Sequence, residues 1–152
     1  MLAKYHGHVI NFCFRDTLAP VALLKEIGGV VAEDCVILAL DEKDFIDIPS
    51  TSIELLKTSE NRRFYTIYDE DERKFGCCLA LINKHFEIVS VMADRQEDKT
   101  ALIAAAAKDA LAAKTGIAPT ILVKREDYAT LGAALHVGFL RKGYFIRYQV
   151  NL

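Results

Sequence analysis

The sequence predicts an α/β or α+β domain: one β-sheet covered by helices. Three observations carry that expectation. Runs rich in β-branched and aromatic residues follow one another at 64–68, 74–82 and 86–92, with only short polar stretches between them. The alanine-rich stretch Lys99 to Lys114 has its apolar residues at helical spacing. Beyond it, strand-like and helix-like segments alternate to the C-terminus. The 152 residues fit one domain, since a domain takes about 100–200.

The elements follow in order. Tyr5 to Phe14 (YHGHVINFCF) predicts a first strand. Thr17 to Ile27 predicts a short helix, with Pro20 near its start, where a missing N–H costs little, and Gly28-Gly29 at its end. Cys35 to Leu40 is an apolar run of strand length. Asp44 to Ile48 fits either a short strand or a loop with apolar anchors, and Ile53 to Lys57 suggests a helical turn with Ser50 or Thr51 as its N-cap. Phe64–Tyr68 and Lys74–Ile82 flank the carboxylate run Asp69 to Glu72 and predict an antiparallel hairpin. Asn83-Lys84 turns the chain into Phe86–Met92, the third strand of a meander. In the helix from Lys99 to Lys114, Ile103, Ala106, Ala107, Ala110 and Leu111 fall on one side and Lys108, Asp109 and Lys114 on the other. Asp98 is placed to cap its start, and Gly116 with Pro119 closes it. Thr120–Lys124 predicts a short central strand, Asp127–Val137 a helix ending at Gly138, and Tyr144–Val150 a last strand.

Composition excludes several functions. Lys and Arg number 19 against 21 Asp and Glu, a formal charge of −2, so there is no basic footprint for nucleic acid. No apolar run nears the ~20 residues of a membrane span, and Met1 to His8 lacks a secretory signal, which points to a cytoplasmic protein. Cys13, Cys35, Cys77 and Cys78 form no CxxC pair and no zinc-spaced cluster, so they read as small hydrophobes in a reduced protein. His6 and His8 alternate on one strand face without a third ligand, and no metal is expected. Exposed strand edges and high apolar content invite a homodimer, although no motif specifies one. Tyr144, Phe145 and Tyr148 read as strand core, and Arg141-Lys142 as a solvated basic turn.

From Arg63 to Tyr148 the chain resembles the GNAT superfamily of N-acetyltransferases. Four segments carry the resemblance through their order and spacing. They are the hairpin FYTIYDEDERKFGCCLALI, the strand, loop and helix FEIVSVMADRQEDKTALIAAAA, the strand and helix TILVKREDYATLGAALHVGF, and GFLRKGYFIRYQV with its second glycine-aromatic pair, Gly143-Tyr144. The resemblance implies one GNAT-like domain over 1–152, with 61–152 carrying the likeness and 1–60 on the acceptor side. It implies a mixed, mostly antiparallel sheet with helices on both faces. Two neighbouring strands part and leave main-chain groups for the pantetheine arm of acetyl-CoA, the cosubstrate. Val91, Met92 and Ala93 then supply strand contacts. Gln96, Asp98, Lys99, Thr100 and Ala101 occupy the place of the loop that holds the pyrophosphate at a helix start, with Lys99-Thr100 opening the helix.

This sequence departs from the family pattern twice. Lys99 stands where glycine is preferred, and Glu97 and Asp98 add negative charge beside an anion site. The usual general-acid tyrosine of the last helix is replaced by Ala134, with Tyr128 too early and His136 too late to match. One feature favours chemistry: Glu87 lies in the strand where some members carry a general base, and burial would bring its pKa toward working pH. The expected function is acyl-CoA-dependent transfer to the amine of a small molecule or peptide, with the oxyanion held by a strand N–H near Val91 or Met92. The alternative is a GNAT-fold interaction module without catalysis.

Overall fold

The computed structural model describes residues 7–15, 19–50, 52–69 and 72–151. The chain runs β1 (Val9–Arg15), α1 (Val21–Glu26), β2 (Val30–Ala39), β3 (Ile53–Ser59), β4 (Arg62–Asp69), β5 (Glu72–Ile82), β6 (His85–Met92), α2 (Gln96–Ala112), β7 (Thr120–Lys124), α3 (Tyr128–Val137) and β8 (Leu140–Asn151). All eight strands form one sheet in the order β1-β8-β2-β7-β6-β5-β4-β3. The sheet is mixed and mostly antiparallel, an α/β fold as the sequence predicts. Among the described strands only β6 and β7 pair in parallel. Among the described residues no helix is long and apolar enough to cross a membrane.

The meander forms for local reasons. Asn83 and Lys84 take positive φ of 48° and 69°, the backbone of a two-residue hairpin turn, and bring β6 back along β5. The predicted hairpin of β4 and β5 is present in antiparallel register, with Tyr65 opposite Cys77 and Thr66 opposite Gly76. Thr51, His6, Thr17 and the acidic pair Glu70-Asp71 lie outside the described residues.

Two expectations need correction, and one choice left open between strand and loop is decided. Ile53 to Lys57 is not a helical turn but most of β3, antiparallel to β4 with Ile53 opposite Ile67. Its residues have no strong local preference, and the open edge of β4 decides their state. The helix α2 begins three residues before Lys99, at Gln96. Its N-cap is Arg95, without a side-chain cap bond, and Asp98 sits inside the first turn rather than capping it. Finally, 44–48 takes the loop form: a short 3₁₀ turn at Glu42–Asp44, then Phe45 and Ile48 packed on the core. The strands β2 and β8 also start earlier than their apolar runs, at Val30 and Leu140.

The core lies between the sheet and the pair α2 and α3. Val36, Leu38, Tyr65, Leu79, Phe86, Ile88, Ile121 and Val123 face Leu102, Ile103, Ala106, Ala107 and Ala133. Alanine along α2 leaves little between the helix and its neighbours, so they approach closely. Cys77 and Cys78 point to opposite faces, and both are buried. On the far side of the core, Tyr65 donates a 2.7 Å hydrogen bond to Asp109 of α2. Arg63 lies 3.8 Å from the same carboxylate and over the Phe86 ring at 5.5 Å. At the end of α3, Gly138 has φ 112°, and Val137 accepts a 2.9 Å bond from Ile46 N–H. A Cβ at Gly138 would collide with the Asp44 carbonyl oxygen, so this crossing of loop and helix end requires glycine.

Candidate functional site: a cleft between two strands

The strands β6 and β7 pair for only two residues, Glu87 with Thr120 and Ile88 with Ile121. Beyond that point each follows its other neighbour. The strand β6 stays laddered to β5 as far as Met92 opposite Gly76, while β7 stays laddered to β2, with Lys124 opposite Cys35. The departure coincides with an extra residue in β6. Ile88 faces Leu79 and Ser90 faces Cys78, so Val89 has no opposite number. A bulge of this kind bends its strand and increases local twist.

The result is a cleft of about 330 Å³ lined by Ile88, Ser90 and Val91 on one wall, and by 121–124, Asp127 and Thr130 on the other. Both strands lead into helices at this end, so the N-termini of α2 and α3 flank the mouth and present their positive dipole ends. The first third of the chain contributes here too. The strand β2 lies beside β7 and holds the cleft wall from behind.

The structure distributes the expected site residues unevenly. Val91 lines the cleft. Met92 follows it but is 70% exposed, and Ala93 packs against the core. Thr100 and Ala101 are buried, with the Thr100 hydroxyl donating 2.8 Å to the Gln96 carbonyl. Gln96 lies against Gly132 of α3, its amide nitrogen 2.9 Å from where a Cβ would stand. Asp98 accepts from Arg95 Nε and Nη2 at 3.1 and 3.2 Å. Lys99 Nζ crosses to α3, 2.9 Å from Thr130 Oγ1 and 3.8 Å from Asp127. Ala134 is fully buried, Tyr128 is 76% exposed on the first turn of α3, and His136 is exposed near its far end.

Glu87 is half-buried, paired with Ala80 of β5 and Thr120 of β7 one position before the strands part, and is not among the residues that line the cleft. Burial pushes its pKa up, against the lowering fields of His85 and Arg15. At the mouth, burial alone would raise Asp127. Hydrogen bonds from the Thr130 hydroxyl and N–H, with the charges of Lys99 and Lys124, outweigh it and hold the carboxyl low.

Sequence reasoning missed Ser90, Lys124, Asp127 and Thr130 as cleft residues. An N-cap signal was present in Asp127-x-x-Thr130, but nothing local says that the capped turn faces a cleft. Among the described residues no cluster of His, Cys, Asp and Glu is arranged to hold a metal.

The sheet thus opens between two parallel strands, with the N-termini of two helices at the opening. No protein-family model matches the sequence, and no curated protein does. Solved structures match the fold. A GCN5-related N-acetyltransferase from Kribbella flavida superposes with a TM-score of 0.71 at 11% identity, over 94% of this chain and 68% of that one. Another from Sphaerobacter thermophilus gives 0.66 at 10%, over 96% and 60%. A tandem GNAT protein from the clavulanic acid biosynthesis pathway, in a structure without acetyl-CoA, gives 0.62 at 10%, over 98% and 66%. The chain has the GNAT fold. At such identities the likeness speaks to the fold alone, and the chain spans 60–68% of these three proteins.

Proposed function

We propose that the chain is an N-acyltransferase that takes an acyl group from a CoA thioester, acetyl-CoA first among them, and passes it to an amine. The observation that carries this reading is the two-residue pairing of β6 with β7. Past Ile88 and Ile121 the facing main-chain groups of the two strands have no ladder between them, and a pantetheine arm, itself a chain of amides, can pair with such groups. The arm fits the residues present: a cleft of mixed apolar walls and strand edges.

Glu87 is the group for general base. It belongs to the last paired positions of β6 and β7, next to Ile88 at the start of the cleft, and burial favours its neutral form so that it can take up a proton. The amine gives its proton to Glu87, directly or through water, and its nitrogen attacks the carbonyl carbon. A C–N bond forms, the C–S bond breaks, and a main-chain N–H of β6 beyond the bulge stabilises the oxyanion. The thiolate takes its proton from water. Its thiol has a pKa near 8.5, so departure without a built-in acid is feasible near neutral pH. The acceptor is an amine of a small molecule or peptide.

Ala134 supports a second reading, a domain that binds the thioester without turning it over, because it offers no proton. The two readings share the cleft and differ in turnover. A thermal-shift titration tests both. Acetyl-CoA at 100 times its dissociation constant stabilises the fold by about 2.7 kcal/mol. An unmoved unfolding midpoint at millimolar acetyl-CoA rejects both readings.

A further inference from the structure

We propose that this cleft selects the pantetheine arm of its thioester, while the mouth of α2 does not grip the nucleotide diphosphate. The inference rests on the thioester reading above and adds which part of the donor is recognised.

A helix N-terminus attracts a diphosphate when its amides are open and nearby side chains add positive charge. Here the polar side chains of the first turn are engaged with the protein itself. Arg95 makes a two-pronged contact with Asp98 and lies 3.8 Å from Glu97. Lys99 is only 13% exposed at its side chain and is held by Thr130 and Asp127 across the gap to α3. Gln96 is turned onto Gly132, and the Thr100 hydroxyl is spent on the Gln96 carbonyl. The charge at the mouth is also wrong for a diphosphate. Glu97, Asp98 and Asp127 offset the three cations Arg95, Lys99 and Lys124, so no positive excess is left for a diphosphate, and Glu97 is 85% exposed. The interior of the cleft is different. Val91 and Leu122 supply apolar surface, Ser90 a hydroxyl, and the parted strands supply backbone donors and acceptors. Recognition therefore falls on the arm.

Isothermal titration of the full chain with acetyl-CoA and with S-acetylpantetheine, which lacks the nucleotide, tests this. The two ligands are expected to bind within about tenfold of each other. In the double variant Glu97→Gln/Asp98→Asn, acetyl-CoA is expected to tighten by about tenfold, with S-acetylpantetheine unchanged. A wild-type preference for acetyl-CoA beyond about tenfold overturns the inference and leaves the thioester reading standing. So does a double variant in which both ligands shift together, or neither shifts. If neither ligand binds the wild-type chain, the thioester reading fails and takes this inference with it.

Discussion

Lys99 Nζ, on the first turn of α2, donates a 2.9 Å hydrogen bond to Thr130 Oγ1, on the first turn of α3. This bond ties together the two helices that flank the mouth of the cleft. The side chains are part-buried, so water replaces the bond poorly. Lys99→Met and Thr130→Val are each expected to destabilise the fold by about 1–2 kcal/mol. Because they remove the same bond, the double variant should lose less than the two single losses together. Urea unfolding of the four proteins measures this, and strict additivity would mean that the bond contributes nothing.

Asp127 makes the same corner sensitive to acid. Its pKa is lowered by Thr130, Lys99 and Lys124 against the opposing effect of burial. A carboxyl with a depressed native pKa stabilises the fold fully above its unfolded pKa, about 3.9, and the contribution is lost as pH falls through the native value. Stability should therefore decline with acidification below about pH 4 more steeply in the wild type than in Asp127→Asn. Identical slopes in unfolding curves across that range would remove the carboxylate from the account.

Glu87 has the opposite sign. Burial raises its pKa, so the native state holds its proton more tightly than the unfolded chain. Its effect on stability becomes less favourable as pH rises from the ordinary glutamate value through the raised one. Activity moves the other way, since only the carboxylate accepts a proton. The acid limb of kcat/KM should lie above the usual glutamate range and disappear in Glu87→Gln, with turnover reduced by about 10²–10⁴ and acetyl-CoA affinity retained. Unaltered turnover in the variant would assign the base elsewhere.

Two glycines with positive φ separate backbone strain from collision. Gly116 has φ 79° and open space where a Cβ would stand, whereas Gly138 has φ 112° and the Asp44 carbonyl oxygen in the way. Gly116→Ala should cost about 1 kcal/mol, and Gly138→Ala clearly more, about 3 kcal/mol or beyond. Equal losses in chemical denaturation would show that the loop at Asp44 yields freely.

Tyr65 holds the sheet to α2 through its 2.7 Å bond to Asp109. Burial and the neighbouring carboxylate raise its phenol pKa, so it remains a neutral donor at any working pH. Tyr65→Phe should lower stability by about 1–2 kcal/mol without changing thioester binding, because the bond lies away from the cleft. Unfolding and calorimetry on the same variant check both halves of that statement.

The sequence by itself determined the elements whose pattern is local. Alternation and turn residues specify the meander of β4 to β6, helical spacing specifies α2, and Gly138 ends α3 where the sequence says it should. Glu87 was also legible as the carboxylate of its strand, since its position needs only the strand itself. Tertiary structure alone decided the rest. Ile53 to Lys57 became a strand because β4 offered an edge. The apolar β2 could have stood anywhere in the sheet, and its place between β7 and β8 is a long-range pairing that no local spacing encodes. The cleft depends on Val89 having no partner in β5 and on β7 following β2 rather than β6, and both are competitions between strands distant in sequence. Lys99 shows the difference in one side chain. Its place at the helix mouth can be read from the sequence, but its engagement with Thr130 exists only once α2 and α3 have packed side by side.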